Sequence, residues 1–183
     1  MERVAVWVAF ALILGGVVYA GGVYWWEQNN HKAPNIPEYS IIEGAGGRSL
    51  VFFKQPECGC CDEWLRHASE SGFAMSTLPL DSLERVAEQK KSLGVPEHLS
   101  ACHTSFTPDK RYVFEGHVPA SAIVSFLSSP VEGAIGLVVP GMPIGSPGME
   151  VGERFMPYEV LLLMADGSQA IYRSYERYAE QFE

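Results

Sequence analysis

Residues 49–62 have the sequence SLVFFKQPECGCCD, in which a short apolar run is followed by three cysteines within four positions. The apolar run is rich in strand-forming residues and is stopped by Gln55-Pro56, which predicts a β-strand. Residues with helical spacing follow it: Cys61, Trp64, Leu65 and Ala68. The cysteines therefore lie on a strand-to-helix turn, where unpaired N–H groups and the helix dipole favour thiolate over thiol. Such a cluster suits soft-metal binding or disulfide chemistry.

The composition of the 183-residue chain is that of one compact domain with attachments. Its formal net charge is −9 at pH 7. An acidic chain is not attracted to a phosphate backbone, so we expect no nucleic-acid partner.

The N-terminal segment predicts a membrane anchor. Val4–Trp26 is almost wholly apolar and ends in a cluster of aromatic residues, so residues 1–26 are long enough to cross a bilayer as a helix. Val18-Tyr19-Ala20 also fits a signal-peptidase site, which leaves a cleaved export signal as the alternative. Residues 27–47, with their prolines and glycines, predict a linker. In either case we expect the rest of the chain outside the cytoplasm.

The order of predicted elements from residue 48 to residue 173 is βαβαββα, followed by a loop and a β-hairpin. Strands are expected near residues 49–54, 73–78, 102–107 and 111–115, and a further helix after Pro119. In the second helix, the core-facing residues are expected to be Leu83, Val86, Ala87 and Leu93. This order places the first turn and the start of the third strand at one edge of a central sheet. His67 is expected on the solvated face of the first helix.

The C-terminal third begins with a loop dense in proline and glycine, residues 139–150, that contains Met142 and Met149. Apolar stretches at residues 158–164 and 169–173 flank Asp166-Gly167, a strong hairpin pattern. Residues 174–183 form a polar tail.

The element order, together with Cys58 and Cys61 at CxxC spacing, resembles the thioredoxin-like fold. Thioredoxins have a cis-proline before the third strand, facing the cysteine pair. This chain has Ala101-Cys102-His103 there, without a proline. The departure weakens plain disulfide exchange and adds a fourth soft ligand.

Four stretches carry a second resemblance: residues 58–62 (CGCCD), 100–104 (SACHT), 115–120 (EGHVPA) and 139–150 (VPGMPIGSPGME). In this order they resemble the CopG family of envelope copper-resistance proteins. The resemblance covers roughly Ser49 to Gly167. Because residues 1–26 predict an anchor, we expect the protein at the inner membrane, with other envelope copper proteins as partners in copper exchange. The resemblance implies a periplasmic Cu(I)-binding protein with a thioredoxin-like core. It also implies four metal-binding cysteines: Cys58, Cys60, Cys61 and Cys102.

Ligand chemistry favours copper at this cluster. Structural zinc usually draws on C-x₂₋₄-C pairs, and the adjacent Cys60 and Cys61 close one tetrahedral site awkwardly. Adjacent thiolates suit bridging between several Cu(I) ions, and thiolate and thioether are the ligands that select Cu(I). Further candidate ligands are His103, His117, Met142 and Met149, with hydrogen-bonded histidines and gap-filling methionines as the alternative for each.

Two other interpretations of the cysteines stay open. Two structural disulfides are the default in an oxidising compartment, although a Cys58–Cys61 pair closes too small a loop to stabilise much. A thiol–disulfide oxidoreductase would use Cys58 as the attacking thiolate and Cys61 as the resolving thiol. No acid–base pair, nucleotide loop or hydrolytic triad stands out, so the sequence leaves open whether the protein is an enzyme.

Overall fold

The computed structural model describes residues 48–183. The predicted anchor (residues 1–26) and linker (residues 27–47) lie outside the described residues. Among residues 48–183, no helix is both long and apolar enough to cross a membrane.

One seven-stranded sheet runs through the domain, with the strand order β2-β1-β3-β4-β5-β6-β7. The strands are β1 (Ser49–Lys54), β2 (Ala74–Thr77), β3 (His103–Phe106), β4 (Val113–Glu115), β5 (Ala134–Val138), β6 (Tyr158–Met164) and β7 (Gln169–Tyr175). The β1–β2 and β4–β5 pairs are parallel, and the other neighbouring pairs are antiparallel.

Three α-helices connect these strands: α1 (Gly59–Glu70), α2 (Leu83–Ser92) and α3 (Ala120–Ser128). Short 3-10 helices occur at Glu97–Leu99 and Tyr178–Phe182. The predicted α/β class and the order βαβαββα from β1 to α3 are confirmed. Lys54 pairs with His103, so the end of β1 and the start of β3 meet at one edge of the sheet, as predicted.

Strand β5 is absent from the sequence-based prediction. Its sequence, AIGLV, is a short apolar run without alternation, which does not distinguish a buried strand from other buried segments. Gly136 provides the physical reason for its place. A Cβ at this position would collide with the carbonyl of Val113, so glycine permits the close approach of β4 and β5.

Helix α1 packs onto the sheet through Trp64, which is fully buried. Its ring stacks on Phe52 of β1 with a centroid distance of 5.8 Å, and its indole N–H donates to the Val118 carbonyl at 2.9 Å. Fully burying a side chain such as Phe52 stabilises the fold by roughly 1.5–3 kcal/mol. Val51 and Phe53 on the opposite face of β1 are buried as well, so this strand is covered on both sides.

The predicted core face of α2 is wrong in part. Leu83 is 63% exposed and Ala87 is exposed as well, whereas the buried residues of the helix are Val86, Gln89 and Lys90. The helix is rotated so that the Lys90 ammonium reaches the buried carboxylate of Glu115, a partner far away in sequence.

The C-terminal hairpin is confirmed, but β7 ends at Tyr175, two residues later than predicted, because Tyr175 is fully buried and stacks on Tyr158. Gln181 is also buried. Its side chain accepts from the Tyr158 hydroxyl at 2.6 Å and donates to the Gly145 carbonyl at 2.9 Å. The end of the chain thereby holds the loop of residues 139–150 against the domain.

His67 does not lie on a solvated face, as predicted, because Phe182 of the C-terminal 3-10 helix packs against its ring. Its Nε2 accepts a hydrogen bond at 3.1 Å from the backbone N–H of Ala120, the first residue of α3. The N-cap residue of α3 itself, Pro119, makes no side-chain capping hydrogen bond. Burial lowers the pKa of His67. Only the neutral ring can accept this hydrogen bond.

We expect His67→Ala to lower the free energy of unfolding by about 1 kcal/mol at neutral pH, the usual effect of losing a cap. A histidine whose folded pKa is lowered contributes stability that is present above its unfolded pKa of about 6.5 and is lost as the pH falls through the folded value. The difference between the variant and the parent should therefore shrink in acid. Urea unfolding at neutral and acidic pH measures it, with exposed His98→Ala as control. A difference that does not depend on pH would contradict the assignment.

Candidate metal centre

The three clustered cysteines lie at the start of α1. Cys58 is the N-cap residue, in extended conformation, and Glu57 before it has a positive φ of 60°. Lys54 at the end of β1 holds this turn. Its ammonium donates to the Cys58 carbonyl at 3.0 Å and pairs with Asp62 at 2.7 Å.

The sulfur atoms of Cys58, Cys60 and Cys61 all lie within 4.8 Å of one another. Cys61 is buried, and the other two are half-buried. Cys58 and Cys61 form a disulfide, while Cys60 and Cys102 are free thiols. The Cys60 sulfur is 3.5 Å from the Cys58 sulfur. The structure is thus the oxidised form of this pair, with one disulfide instead of the two that the structural alternative requires.

Cys102 directly precedes β3, and the Gln55 N–H donates to its carbonyl at 2.9 Å, which ties it to the turn before the cluster. Its thiol contacts the thioether sulfur of Met142 at 3.4 Å. Burial raises the pKa of the Cys102 thiol, and the neighbouring Cys60 raises it further. A metal ion bound here must therefore displace a proton. Met142 is 51% exposed, so the contact lies at the surface.

His103 and His117 form a buried pair below the cysteine helix. Their ring centroids are 4.8 Å apart, and the His103 ring also lies 4.7 Å from that of Trp64. The His117 Nδ1 is 2.8 Å from the Pro147 carbonyl, an acceptor, so this nitrogen carries the proton and Nε2 carries the lone pair. Nε2 of His117 and both ring nitrogens of His103 have no well-formed hydrogen bond among the described residues.

Burial favours the neutral form of both histidines. Burial lowers the pKa of His103 well below its usual value, and the neighbouring His117 lowers it further. Burial also lowers the pKa of His117, against the opposing effect of its hydrogen bond to Pro147. A neutral imidazole whose other nitrogen donates to a carbonyl is the usual arrangement of a metal-binding histidine.

The loop of residues 139–150 packs directly on the cysteine helix. A Cβ on Gly148 would lie 2.7 Å from both the Cys60 carbonyl oxygen and the backbone nitrogen of Trp64. The loop therefore approaches the helix backbone as closely as a glycine allows. Met149 follows it and is half-buried, and among the described residues its sulfur contacts none of the cysteine sulfurs at hydrogen-bond distance.

Comparison with known proteins places this arrangement in a family. A family model described as "Protein of unknown function, DUF411" matches residues 99–149. Two solved structures, described as copper resistance protein copG, Form 1 and Form 2, are each 32% identical to the chain. Form 1 aligns over 71% of this chain and 98% of its own, with a TM-score of 0.63. Form 2 aligns over 71% of this chain and 99% of its own, with a TM-score of 0.62.

The chain belongs to the CopG family of copper resistance proteins. The resemblance that the four sequence motifs predict is thereby confirmed. Among curated proteins, none matches the chain. The DUF411 match contains five of the eight candidate ligands of this CopG-family chain, namely Cys102, His103, His117, Met142 and Met149.

The structure brings seven of the eight candidate ligands of this CopG-family protein together in three groups and leaves Met149 outside them. The first is the cluster of Cys58, Cys60 and Cys61, the second the Cys102–Met142 contact, and the third the buried histidine pair. Thiolate and thioether are the donors that soft metal ions such as Cu(I) prefer, and neutral imidazole binds copper as well as other transition metals.

Sequence reasoning missed a buried ion pair close to the site. Lys90 of α2 is 3% exposed and Glu115 of β4 is fully buried, with the ammonium 2.5 Å from the carboxylate. Burial raises the pKa of Glu115, and Lys90 opposes this effect. Charged residues are almost never fully buried unless paired, but the sequence does not show which charges are paired.

Proposed function

We propose that the protein binds Cu(I) in the bacterial envelope on its four cysteines, Cys58, Cys60, Cys61 and Cys102. Further ligands or exchange groups are His103, His117, Met142 and Met149. One observation carries this proposal: three cysteine sulfurs lie within 4.8 Å of one another in a chain of the CopG copper resistance family.

Copper accounts for this donor set better than zinc does. Three sulfurs in four residues, with adjacent Cys60 and Cys61, favour bridging thiolates over one closed tetrahedral ion. The thioether of Met142 against the Cys102 thiol adds a ligand that is soft, uncharged and exposed to an incoming ion. The site is therefore proposed to hold several Cu(I) ions that enter or leave past Met142.

The proposal includes a thioredoxin-like core from β1 to α3. Its support is the parallel β1–β2 pair joined by α1 and the antiparallel β1–β3 and β3–β4 pairs. It also includes a periplasmic location at the inner membrane, through the apolar residues 1–26, and copper exchange with other envelope copper proteins. Support for the location comes from the N-terminal sequence alone.

Thiol–disulfide exchange is the second candidate function, and the Cys58–Cys61 disulfide favours it. Cys58 is half-buried whereas Cys61 is buried, so Cys58 is the sulfur of the pair that an external thiol reaches first. This candidate needs neither Cys60 nor Cys102.

Anaerobic Cu(I) titration of the full chain in mild detergent tests the proposal. The reduced protein should bind several Cu(I) per chain, with an X-ray absorption spectrum dominated by sulfur and showing short Cu–Cu vectors. The matched control is the same protein with Cys58–Cys61 oxidised, which should bind less because two sulfurs are consumed by the disulfide. If the reduced chain binds no copper while Cys58–Cys61 cycles readily between dithiol and disulfide, the oxidoreductase is the better assignment.

A further inference from the structure

The buried pair of Lys90 and Glu115 is anchored to a single peptide next to the metal centre. The Lys90 ammonium donates to the Ala101 carbonyl at 2.5 Å, and the Ala101 N–H donates to the Glu115 carboxylate at 2.6 Å. The same carboxylate oxygen accepts from Lys90 at 2.5 Å, which closes a ring of three hydrogen bonds. The other carboxylate oxygen accepts from the Thr104 hydroxyl at 2.6 Å.

Ala101 needs such partners because the sheet supplies none. Strand β3 begins at His103, two residues later, and Ala101 is only 8% exposed. A buried N–H and C=O outside the strand ladder must find other partners. The carbonyl of Cys102 itself accepts a hydrogen bond from the Gln55 N–H. The backbone is therefore fixed immediately before Cys102 and at Cys102 itself.

Stability alone does not explain a buried ion pair at this position. Replacing such a pair by apolar residues of similar volume is often neutral or stabilising, because desolvation of the two charges offsets their attraction. What the pair provides is a fixed geometry, since its hydrogen bonds join α2, β3 and β4 at one peptide.

We infer that Lys90 and Glu115 are positioning residues that fix the Ala101 peptide and thereby hold the Cys102 sulfur in place at the sheet edge that carries the other three cysteines. This inference rests on the proposed copper function, for which Cys102 is the fourth thiolate. It assigns a role to two side chains that do not touch the metal.

The test is the double variant Lys90→Met with Glu115→Leu, which removes both charges together and leaves apolar side chains of similar size. The matched control is Glu88→Leu with Lys91→Met, which makes the same changes at exposed positions of α2. We expect the double variant to fold and to bind only as much Cu(I) as Cys102→Ser does. The control and the conservative double variant Lys90→Gln with Glu115→Gln, which buries no charge and keeps a donor and an acceptor for the Ala101 peptide, should bind as much as the parent.

Combining the double variant with Cys102→Ser separates positioning from general damage. If the pair acts through Cys102, the combination loses no more copper than Cys102→Ser alone, because residues that act as one unit are not additive. A folded double variant with the parent's copper capacity, or a further loss in the combination, would overturn the inference. If the double variant does not fold, Lys90→Gln with Glu115→Leu provides the same comparison, because it also buries no charge and leaves the Ala101 N–H without its acceptor.

A second measurement, made without copper, tests the positioning role independently of the proposed copper function. Alkylation of Cys102 by iodoacetamide in the reduced, metal-free chain should be several-fold faster in the double variant than in the parent or the control. If the parent binds no copper, the proposed function fails, and this rate alone decides the positioning role. An unchanged rate together with unchanged copper binding rejects it.

Discussion

Cys60→Ser and Cys102→Ser are each expected to lower the number of Cu(I) ions bound per chain. Cys60 lies within 4.8 Å of both Cys58 and Cys61 at the head of α1, whereas Cys102 approaches from the start of β3. A cluster bridged by thiolates needs both, so the loss of either should remove bridging ligands. The apparent copper affinity should fall by at least about 100-fold, the upper end of what loss of a ligand's supporting partner costs.

The same two variants separate the two candidate functions. Disulfide exchange through Cys58 and Cys61 should survive both substitutions, because neither residue belongs to that bond. Copper titration and mass-spectrometric detection of the Cys58–Cys61 disulfide, carried out on the same samples, give both readouts. Met164→Leu, which removes a sulfur far along the sheet in β6, is the control for general loss of a soft side chain. Normal copper loading in both serine variants would refute the four-cysteine cluster.

Gly148→Ala is expected to lower the free energy of unfolding by several kcal/mol. The residue has a φ of +84°, and its Cβ would lie 2.7 Å from the Cys60 carbonyl oxygen and 3.1 Å from the Trp64 Cα. The left-handed backbone contributes roughly 1–2 kcal/mol, and forcing the loop away from the helix adds about 1–3 kcal/mol. Copper binding should weaken too, because this loop carries Met142 and holds His117 through the Pro147 carbonyl.

The matched control for this change is Gly152→Ala. Gly152 also has a positive φ, of 59°, but no atom lies within 4 Å of a Cβ built on it. It should therefore show the backbone cost without the collision. Urea unfolding and Cu(I) titration of the two variants measure the difference. Equal losses of stability at both positions would mean that the contact between the loop and α1 does not matter.

Local sequence patterns were sufficient to predict β1, α1 and the C-terminal hairpin. The apolar run before Gln55-Pro56 predicted β1, and the helical spacing after Cys61 predicted α1 with Trp64 inward. Asp166-Gly167 located the turn between β6 and β7. These features depend on residues within one or two turns of each other, so a local pattern contains the information. The close grouping of Cys58, Cys60 and Cys61 follows from the same short range.

The candidate site shows the limit of such patterns. The sequence singled out Cys102, His103 and Met142, but not that Cys102 meets Met142 while His103 points into the core beside Trp64. Successive side chains along a strand point to opposite faces of the sheet, so two residues that are adjacent in sequence contact different parts of the protein. Which of the four cysteines form the disulfide is likewise decided by their positions in the folded chain.

By itself, then, the sequence determined the α/β class, the order of elements from β1 to α3, the cysteine-headed helix and the family. Only the tertiary structure decided the place of β5, the pairing of the two histidines and the burial of Lys90. Lys90 and Lys91 are neighbours on a charged helix, yet the first is buried against Glu115 and the second is exposed. The two lysines differ in burial because Lys90 pairs with the carboxylate of Glu115, which is 25 residues from it along the chain. Burial of a charge depends on a partner brought close by folding, and no local pattern shows that partner.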